Sequence, residues 1–88
     1  MQLEKIQHTL PKIPELVMQT LITAIDQGDV KVGQELPSER DLAEMLGVGR
    51  GSLRECLAIL EFLGAIENRG NRKVVIRDAD YIQRSISF

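Results

Sequence analysis

The stretch LPSERDLAEMLGVGRGSLRECLAILEFLG, residues 36–64, constrains the fold most, because it contains two apolar helical patterns separated by a short turn. Ser38 and Asp41 form a loose capping box, since the hydroxyl can accept a hydrogen bond from the backbone N–H groups that open a helix. Gly47 is placed to end this first helix in the left-handed conformation, and Gly49 is a tolerated N-cap for a second one. The pattern therefore predicts a helix-turn-helix.

The second helix has two contrasting faces. Its apolar residues recur at spacings of three and four, and they are Leu53, Cys56, Leu57, Leu60 and Leu63. At about 100° per residue, the opposite face carries Arg50, Gly51, Arg54 and Ala58. A glycine there costs about 0.5–1 kcal/mol relative to alanine, whereas a face that approaches a phosphate backbone gains from a missing side chain. An ordinary solvated face stays an alternative, but these residues favour a DNA-binding face.

Length and composition restrict the class of protein. A chain of 88 residues can form one small core but not a second, ligand-binding domain, so we expect neither an enzyme nor a cofactor in this chain. The sequence contains no nucleophile–base pair, phosphate-binding loop or metal-ligand spacing, and Cys56 is interpreted as a core residue. No apolar run approaches the ~20 residues that span a bilayer, and no signal peptide is recognisable. We therefore expect a cytoplasmic protein without membrane contacts.

The charge is distributed unevenly along the chain. The net charge of −2 argues weakly against binding to nucleic acid. However, residues 1–49 contain four basic and eight acidic side chains, whereas residues 50–88 contain seven basic and five acidic ones. The half with the second helix thus has a basic surplus, which permits DNA binding without proving it and predicts that such binding depends steeply on salt.

The residues before the helix-turn-helix predict an extension and one strong helix. Residues 1–13 place apolar side chains three or four apart, which allows an amphipathic turn before Pro11 interrupts it. His8 is interpreted as a surface residue, since no second metal ligand accompanies it. Pro14 suits the first turn of the next helix and Gly28 suits its end. The broad apolar face between them is typical of the first helix of a three-helix core that packs on two elements.

The pattern after residue 64 changes from helical to strand-like, with two runs, 65–69 and 72–77, on either side of Gly70 and Asn71. Glycine and asparagine tolerate the positive φ of two-residue hairpin turns, so we predict a β-hairpin. Apolar and polar residues alternate briefly in the connection 29–36, and this pattern allows one more short strand. Since a hairpin directly after a helix-turn-helix is a wing, the predicted fold class is α+β, mainly α: a winged helix-turn-helix with a three-helix core and a C-terminal β-hairpin.

Three cations lie at the tip of the predicted hairpin. Arg69 would face Arg72 across the two strands, with Lys73 next along. Like charges paired across strands are destabilising, so this tip suits an external anion such as a phosphate backbone. Taken alone, the same charges are equally well explained as protection of an exposed strand edge against aggregation. The order of the elements favours the first interpretation.

The end of the chain predicts a further helix, from the apolar spacing of Tyr81, Ile82, Ile86 and Phe88. The sequence is thereby divided into three parts: an N-terminal extension at 1–13, a winged helix-turn-helix DNA-binding domain at 14–77, and a linker or start of a helix at 78–88.

At LPSERDLAEMLGVGRGSLRECLAILEFLGAI the chain resembles the GntR family of bacterial transcription regulators, and its Leu-Arg-Glu-Cys segment is most similar to the fatty-acid-regulator branch. The resemblance covers about residues 13–77. It implies a sequence-specific DNA-binding domain, more often of a repressor, whose second helix enters the major groove of a palindromic operator as half of a homodimer. It also implies a further domain that binds a small-molecule effector or metal, and we expect the chain to be a fragment in which Tyr81, Ile82 and Phe88 form an exposed cut surface.

The resemblance implies which residues contact DNA. Arg40 would contact a phosphate or a base, and Arg50 and Arg54 would be the principal readers, because the arginine fork can bind O6 and N7 of guanine. Family members often have Ser or Thr on both sides of the first of these readers, whereas this chain has Gly49 and Gly51, which offer backbone N–H groups only. One hydroxyl and the wing complete the predicted set: Ser52, Arg69, Gly70, Arg72 and Lys73.

A function without DNA is the alternative to this prediction. A winged-helix module can bind a protein, with the apolar N-terminal segment or the tail as its surface. Failure to retard any duplex, together with a stable protein partner, would favour that function.

Overall fold

The computed structural model describes residues 2–3 and 12–86, and within them it contains four helices and one β-hairpin. The elements in chain order are α1 (Ile13–Asp26), α2 (Glu39–Leu46), α3 (Arg50–Phe62), β1 (Ile66–Arg69), β2 (Arg72–Val75) and α4 (Ala79–Ile86). The predicted winged helix-turn-helix is confirmed, with α1, α2 and α3 as its core and β1 and β2 as its wing. His8 and Phe88 lie outside the described residues, and so does the turn predicted before Pro11.

Helix α1 begins where Pro14 can occupy the first turn, because the N–H that proline lacks has no intrahelical partner there. Its apolar face packs against both α3 and α4, and its buried residues are Val17, Met18, Leu21 and Ile22. The helix ends at Asp26, and Gly28, with φ of +83°, lies in the turn that follows.

The helix-turn-helix has the predicted capping. At the start of α2 the backbone N–H of Asp41 donates to the hydroxyl of Ser38 at 3.1 Å, and Gly47 ends the helix with φ of +66°. Gly49 is the N-cap of α3, and half-buried Val48 packs against the core between the two helices. The apolar stripe of α3 is buried at Leu53, Cys56, Leu57 and Leu60. Two short helices are therefore held at a fixed angle by core residues at the turn and along α3.

The wing has the predicted antiparallel register, with Arg69 opposite Arg72. Gly70 has φ of +68°, whereas Asn71 has no positive φ. The turn is thus of the kind that needs glycine at its first central position only.

The connection between α1 and α2 lies along the second edge of β2. Glu35 forms a bridge with Val74, and the N–H of Leu36 donates to the carbonyl of Lys73 at 2.8 Å. The short strand allowed by the sequence is therefore a single bridge, since Gly33, with φ of +93°, turns the chain just before it. This contact fixes the wing against the start of α2.

Helix α4 is part of the folded unit, so the expectation that Tyr81 and Ile82 form an exposed cut surface is wrong. Ile82 is 0% exposed and belongs to the core. The hydroxyl of Tyr81 donates to the carbonyl of Leu63 at 2.8 Å, and the Arg77 guanidinium lies 4.6 Å from the centre of the Tyr81 ring. The physical reason is the broad face of α1, which α3 covers in part and α4 covers further.

Candidate nucleic-acid interface

A surface groove of about 560 Å³ lies where the first turns of α2 and α3 meet the wing. Its lining includes four of the cations predicted to contact DNA: Arg40, Arg50, Arg72 and Lys73. Glu35 and Pro37 of the connection and Asn71 of the wing turn also line it. The fold therefore brings basic residues from α2, α3 and β2 together on one face of the molecule.

The exposed face of α3 continues from this groove. Arg50, Gly51, Arg54 and Ala58 are exposed, as the helical spacing predicts, while Ser52 is half-buried. The other exposed residues of α3 are Glu55, Ile59 and Phe62. A Cβ atom added at Gly49 or Gly51 would meet nothing within 4 Å among the described residues, and neither glycine has a positive φ. Neither the backbone conformation nor the surrounding packing requires glycine at these positions. The two glycines instead leave the backbone at the start of α3 open to close approach by another molecule.

Arg54 is bound by a carboxylate of the preceding helix. Its Nε donates to Oε2 of Glu39 at 2.8 Å, with 62% of the Arg54 side chain and 30% of the Glu39 side chain exposed. This hydrogen bond holds the pKa of Glu39 below its usual value, against the opposing effect of burial, and the positive charges of Arg54, Lys73 and Arg50 lower it further. Glu39 thus lies in the combined field of several predicted DNA-contacting residues.

The two arginines at the tip of the wing are also paired. Arg69 Nη2 lies 3.1 Å from a carboxylate oxygen of Glu67, and Arg72 Nη1 lies 3.1 Å from one of Glu35. These carboxylates relieve the repulsion between the two facing arginines, which the sequence alone left unbalanced. Both pairs are well exposed, and an exposed ion pair contributes about 0–1 kcal/mol to the free energy of unfolding. A phosphate can therefore replace either carboxylate at little cost in stability.

Lys73 has a different environment from the arginines. Its Nζ donates to Oε1 of Glu61 on α3 at 2.9 Å, and 19% of its side chain is exposed. This half-buried pair joins β2 to α3, so it helps to set the position of the wing relative to the exposed face of α3. By contrast, Arg40 and Arg50 form no ion pair with any described residue.

Sequence reasoning identified the cations but missed the carboxylates that bind them, which are Glu35, Glu39, Glu61 and Glu67. Three of these pairs join residues 15, 37 and 12 positions apart, so no rule of local spacing could have found them. The pair of Glu67 with Arg69 did have a local signal, because residues two apart share one face of a strand. Asn71 in the groove was also missed.

The described ranges, 2–3 and 12–86, contain no group of potential metal ligands, and every buried polar side-chain atom in them has a partner. Burial raises the pKa of Cys56 to about 11, which keeps the thiol protonated and unreactive. None of the helices in these ranges has the length and apolar character needed to cross a membrane.

The sequence matches the model of the bacterial regulatory proteins, gntR family, over residues 13–76. It is 45% identical over 69 residues to the uncharacterised HTH-type transcriptional regulator Rv0494 of Mycobacterium tuberculosis, a match that covers 78% of this chain and 28% of that protein. It is 47% identical over 60 residues to the Glc operon transcriptional activator of Escherichia coli, covering 68% of this chain and 24% of that protein. It is 41% identical over 78 residues to the transcriptional repressor NanR of Klebsiella aerogenes, covering 86% of this chain and 30% of that protein. The chain spans less than a third of the length of these curated relatives.

Solved structures have the same fold. A GntR family transcriptional regulator from Listeria monocytogenes superposes with a TM-score of 0.73 over 90% of this chain and 70% of that chain, at 26% sequence identity. BusR of S. agalactiae, solved in complex with its promoter DNA, gives a TM-score of 0.73 over 84% of this chain and 37% of that chain. At 21% identity, the second likeness concerns the fold alone. The matched proteins are transcription regulators and not enzymes.

Proposed function

Because this chain belongs to the GntR family of bacterial regulatory proteins, we propose that it binds double-stranded DNA sequence-specifically, as the DNA-binding domain of a transcription regulator. The observation that supports this most is the groove in which α2, α3 and the wing present cations on one face. A duplex carries about one negative charge per 1.7 Å of its axis, so a surface with several clustered arginines attracts it strongly.

Helix α3 is the element proposed to enter the major groove. In a helix-turn-helix the first residues of the second helix contact base edges, and Arg50 and Arg54 are exposed in the first two turns of α3. Each can bind O6 and N7 of a guanine with its planar fork. Gly49 and Gly51 allow the backbone to approach a phosphate closely through its N–H groups, and Ser52 adds one hydroxyl.

The remaining cations are proposed to contact the phosphates. Arg40 lies on α2 at the edge of the groove, and Arg69 and Arg72 lie at the tip of the wing beside Gly70. Lys73 contributes its charge to the same face while its ammonium group joins the wing to α3. Such contacts orient a protein on the duplex but carry no sequence information.

The proposal for the whole protein extends beyond this chain. Residues 14–77 would form the DNA-binding domain together with α4, and an effector-binding domain elsewhere in the whole protein would form a homodimer on a palindromic operator. Residues 53–56, Leu-Arg-Glu-Cys, support membership of the fatty-acid-regulator-like branch. We expect a repressor, because a domain docked on promoter DNA can block transcription without any further contact. We also expect the protein to act in the bacterial cytoplasm. The curated relatives include both an activator and a repressor.

Selection of binding sites from random duplexes, followed by gel retardation, tests the proposal. Arg50→Ala and Arg54→Ala should each weaken binding to the selected operator by about 1–3 kcal/mol and relax the preference at one base pair. Arg72→Ala should weaken binding to all duplexes alike and reduce the salt dependence. Arg84→Ala is the matched control, since Arg84 is an exposed arginine of α4 paired with Asp80. Wild-type affinity of Arg54→Ala for the selected operator would contradict the proposal.

Binding of a protein partner is the second candidate, and one observation favours it. Leu16, Met18, Ile59, Leu63 and Ile86 line an apolar groove between α1, α3 and α4. A chain that retards no duplex at any salt concentration, but retains one partner in a pull-down, would support this candidate in place of DNA binding.

A further inference from the structure

Glu39 is one of two acidic residues in a groove that also contains four cations, and the other acid, Glu35, is paired with Arg72 of the wing. The carboxylate of Glu39 holds Arg54. A negative charge in the first turn of α2 stabilises the helix, but Asp41 already supplies one in the same turn. Stabilisation of α2 therefore does not by itself explain an acid that contacts a principal DNA-reading arginine.

The geometry of the pair leaves the arginine able to read DNA. Glu39 accepts from Nε of Arg54, which is the nitrogen nearest the aliphatic stem. Both terminal nitrogens, Nη1 and Nη2, make no hydrogen bond to another described residue and lie on a side chain that is 62% exposed. A guanidinium fixed at Nε keeps a donor pair that matches O6 and N7 of one guanine.

On the basis of the proposed DNA-binding function, we propose that Glu39 is a positioning residue that holds the Arg54 fork in the orientation required to read one guanine. Without this hydrogen bond the Arg54 side chain would lose its rotamer freedom only when it binds DNA, and this loss of conformational entropy would weaken its contact with the guanine. We expect about a 2- to 10-fold loss of discrimination at that base pair.

Glu39 has a second effect, which is independent of the DNA sequence. Its negative charge opposes the phosphates of any duplex, so it weakens binding to every sequence. On the correct sequence the orientation of Arg54 offsets this repulsion, whereas on a wrong sequence nothing does. The repulsion therefore lowers affinity for all sequences alike, whereas the orientation of Arg54 alone raises the ratio of specific to non-specific affinity, and the two effects can be measured separately.

The experiment compares Glu39→Ala, Glu39→Gln, Arg54→Ala and the double variant Glu39→Ala/Arg54→Ala. Dissociation constants are measured for the selected operator, for the operator altered at the base pair that Arg54→Ala relaxes, and for a mixed-sequence duplex. Glu39→Ala should reduce discrimination at that base pair about 2- to 10-fold and bind the mixed-sequence duplex more tightly. Glu39→Gln should bind that duplex more tightly too, but keep most of the discrimination, because its amide oxygen still accepts from Nε.

Two comparisons separate positioning from a general effect of charge. The double variant should discriminate no worse than Arg54→Ala, since Glu39 acts through Arg54. Glu44→Ala, which removes an acid from an exposed position of the same helix, should leave discrimination unchanged. Thermal melting of each variant confirms that it is folded.

The inference is overturned if Glu39→Ala discriminates as well as wild type, if its effect adds to that of Arg54→Ala, or if it changes preference at a different base pair. The last result would mean that Glu39 reads a base itself. A wild-type chain that retards no duplex would contradict the proposed function instead, so the two failures are distinguishable.

Discussion

Replacement of Ile82 by alanine tests whether α4 belongs to the folded domain. The side chain is 0% exposed and lies in the same core cluster as the buried residues of α1 and α3. The substitution removes three carbon groups at about 0.8 kcal/mol each and leaves a cavity, so the total cost falls in the range of about 2–5 kcal/mol. We expect about 3 kcal/mol, which for a domain of this size lowers the midpoint of thermal unfolding by about 12–24 °C.

Urea denaturation followed by circular dichroism measures this loss. The matched control is Arg84→Ala on the same helix, because the Arg84 side chain is exposed and its pair with Asp80 is an i,i+4 surface ion pair worth about 0.3–0.5 kcal/mol. If Ile82→Ala and Arg84→Ala destabilise the chain equally, α4 does not dock on α1, and the assignment of Ile82 to the core is refuted.

Three further predictions follow from the structure. Gly51→Ala should stabilise the fold by about 0.5–1 kcal/mol, measured by denaturation, yet weaken DNA binding, measured by gel retardation. Gly47→Ala should destabilise the fold by about 1–2 kcal/mol in the same denaturation experiment, because Gly47 has φ of +66°. The Arg54 guanidinium should hold the pKa of Glu39 below its ordinary value, and this pKa should rise in Arg54→Ala, as followed by NMR. The pair therefore stabilises the fold above the unfolded-state pKa, and this contribution is lost as pH falls through the lowered folded-state pKa. Cys56, with its pKa raised to about 11, should resist thiol reagents at pH 8 until the protein is unfolded.

The helices and the wing could be predicted because their signals are local. The hydroxyl of Ser38 bonds to a backbone group three residues away, and Gly47 supplies the left-handed conformation at the end of the same helix. Likewise Gly70 and the two short runs beside it determine the hairpin register that places Arg69 opposite Arg72. Interactions of this kind depend on spacing along one segment, so they can be read before the segments are assembled.

The carboxylate partners could not be predicted in the same way. Glu39 and Arg54 are 15 residues apart on two helices, and Glu35 and Arg72 are 37 apart. Whether such residues meet depends on the angle between α2 and α3 and on the position of the wing. The sequence therefore indicated a tip with three cations open to an anion, whereas the fold pairs each of them with an acid.

The sequence by itself determined the capped helices, the turn, the hairpin and the row of cations, because each arises from contacts within a few residues. Only the tertiary structure decided that α4 completes the core, that Arg40, Arg50 and Arg72 share one groove, and that Glu39 holds Arg54. These outcomes result from the packing of apolar faces that are far apart in the chain. The orientation of those faces is settled only when the whole core is buried together.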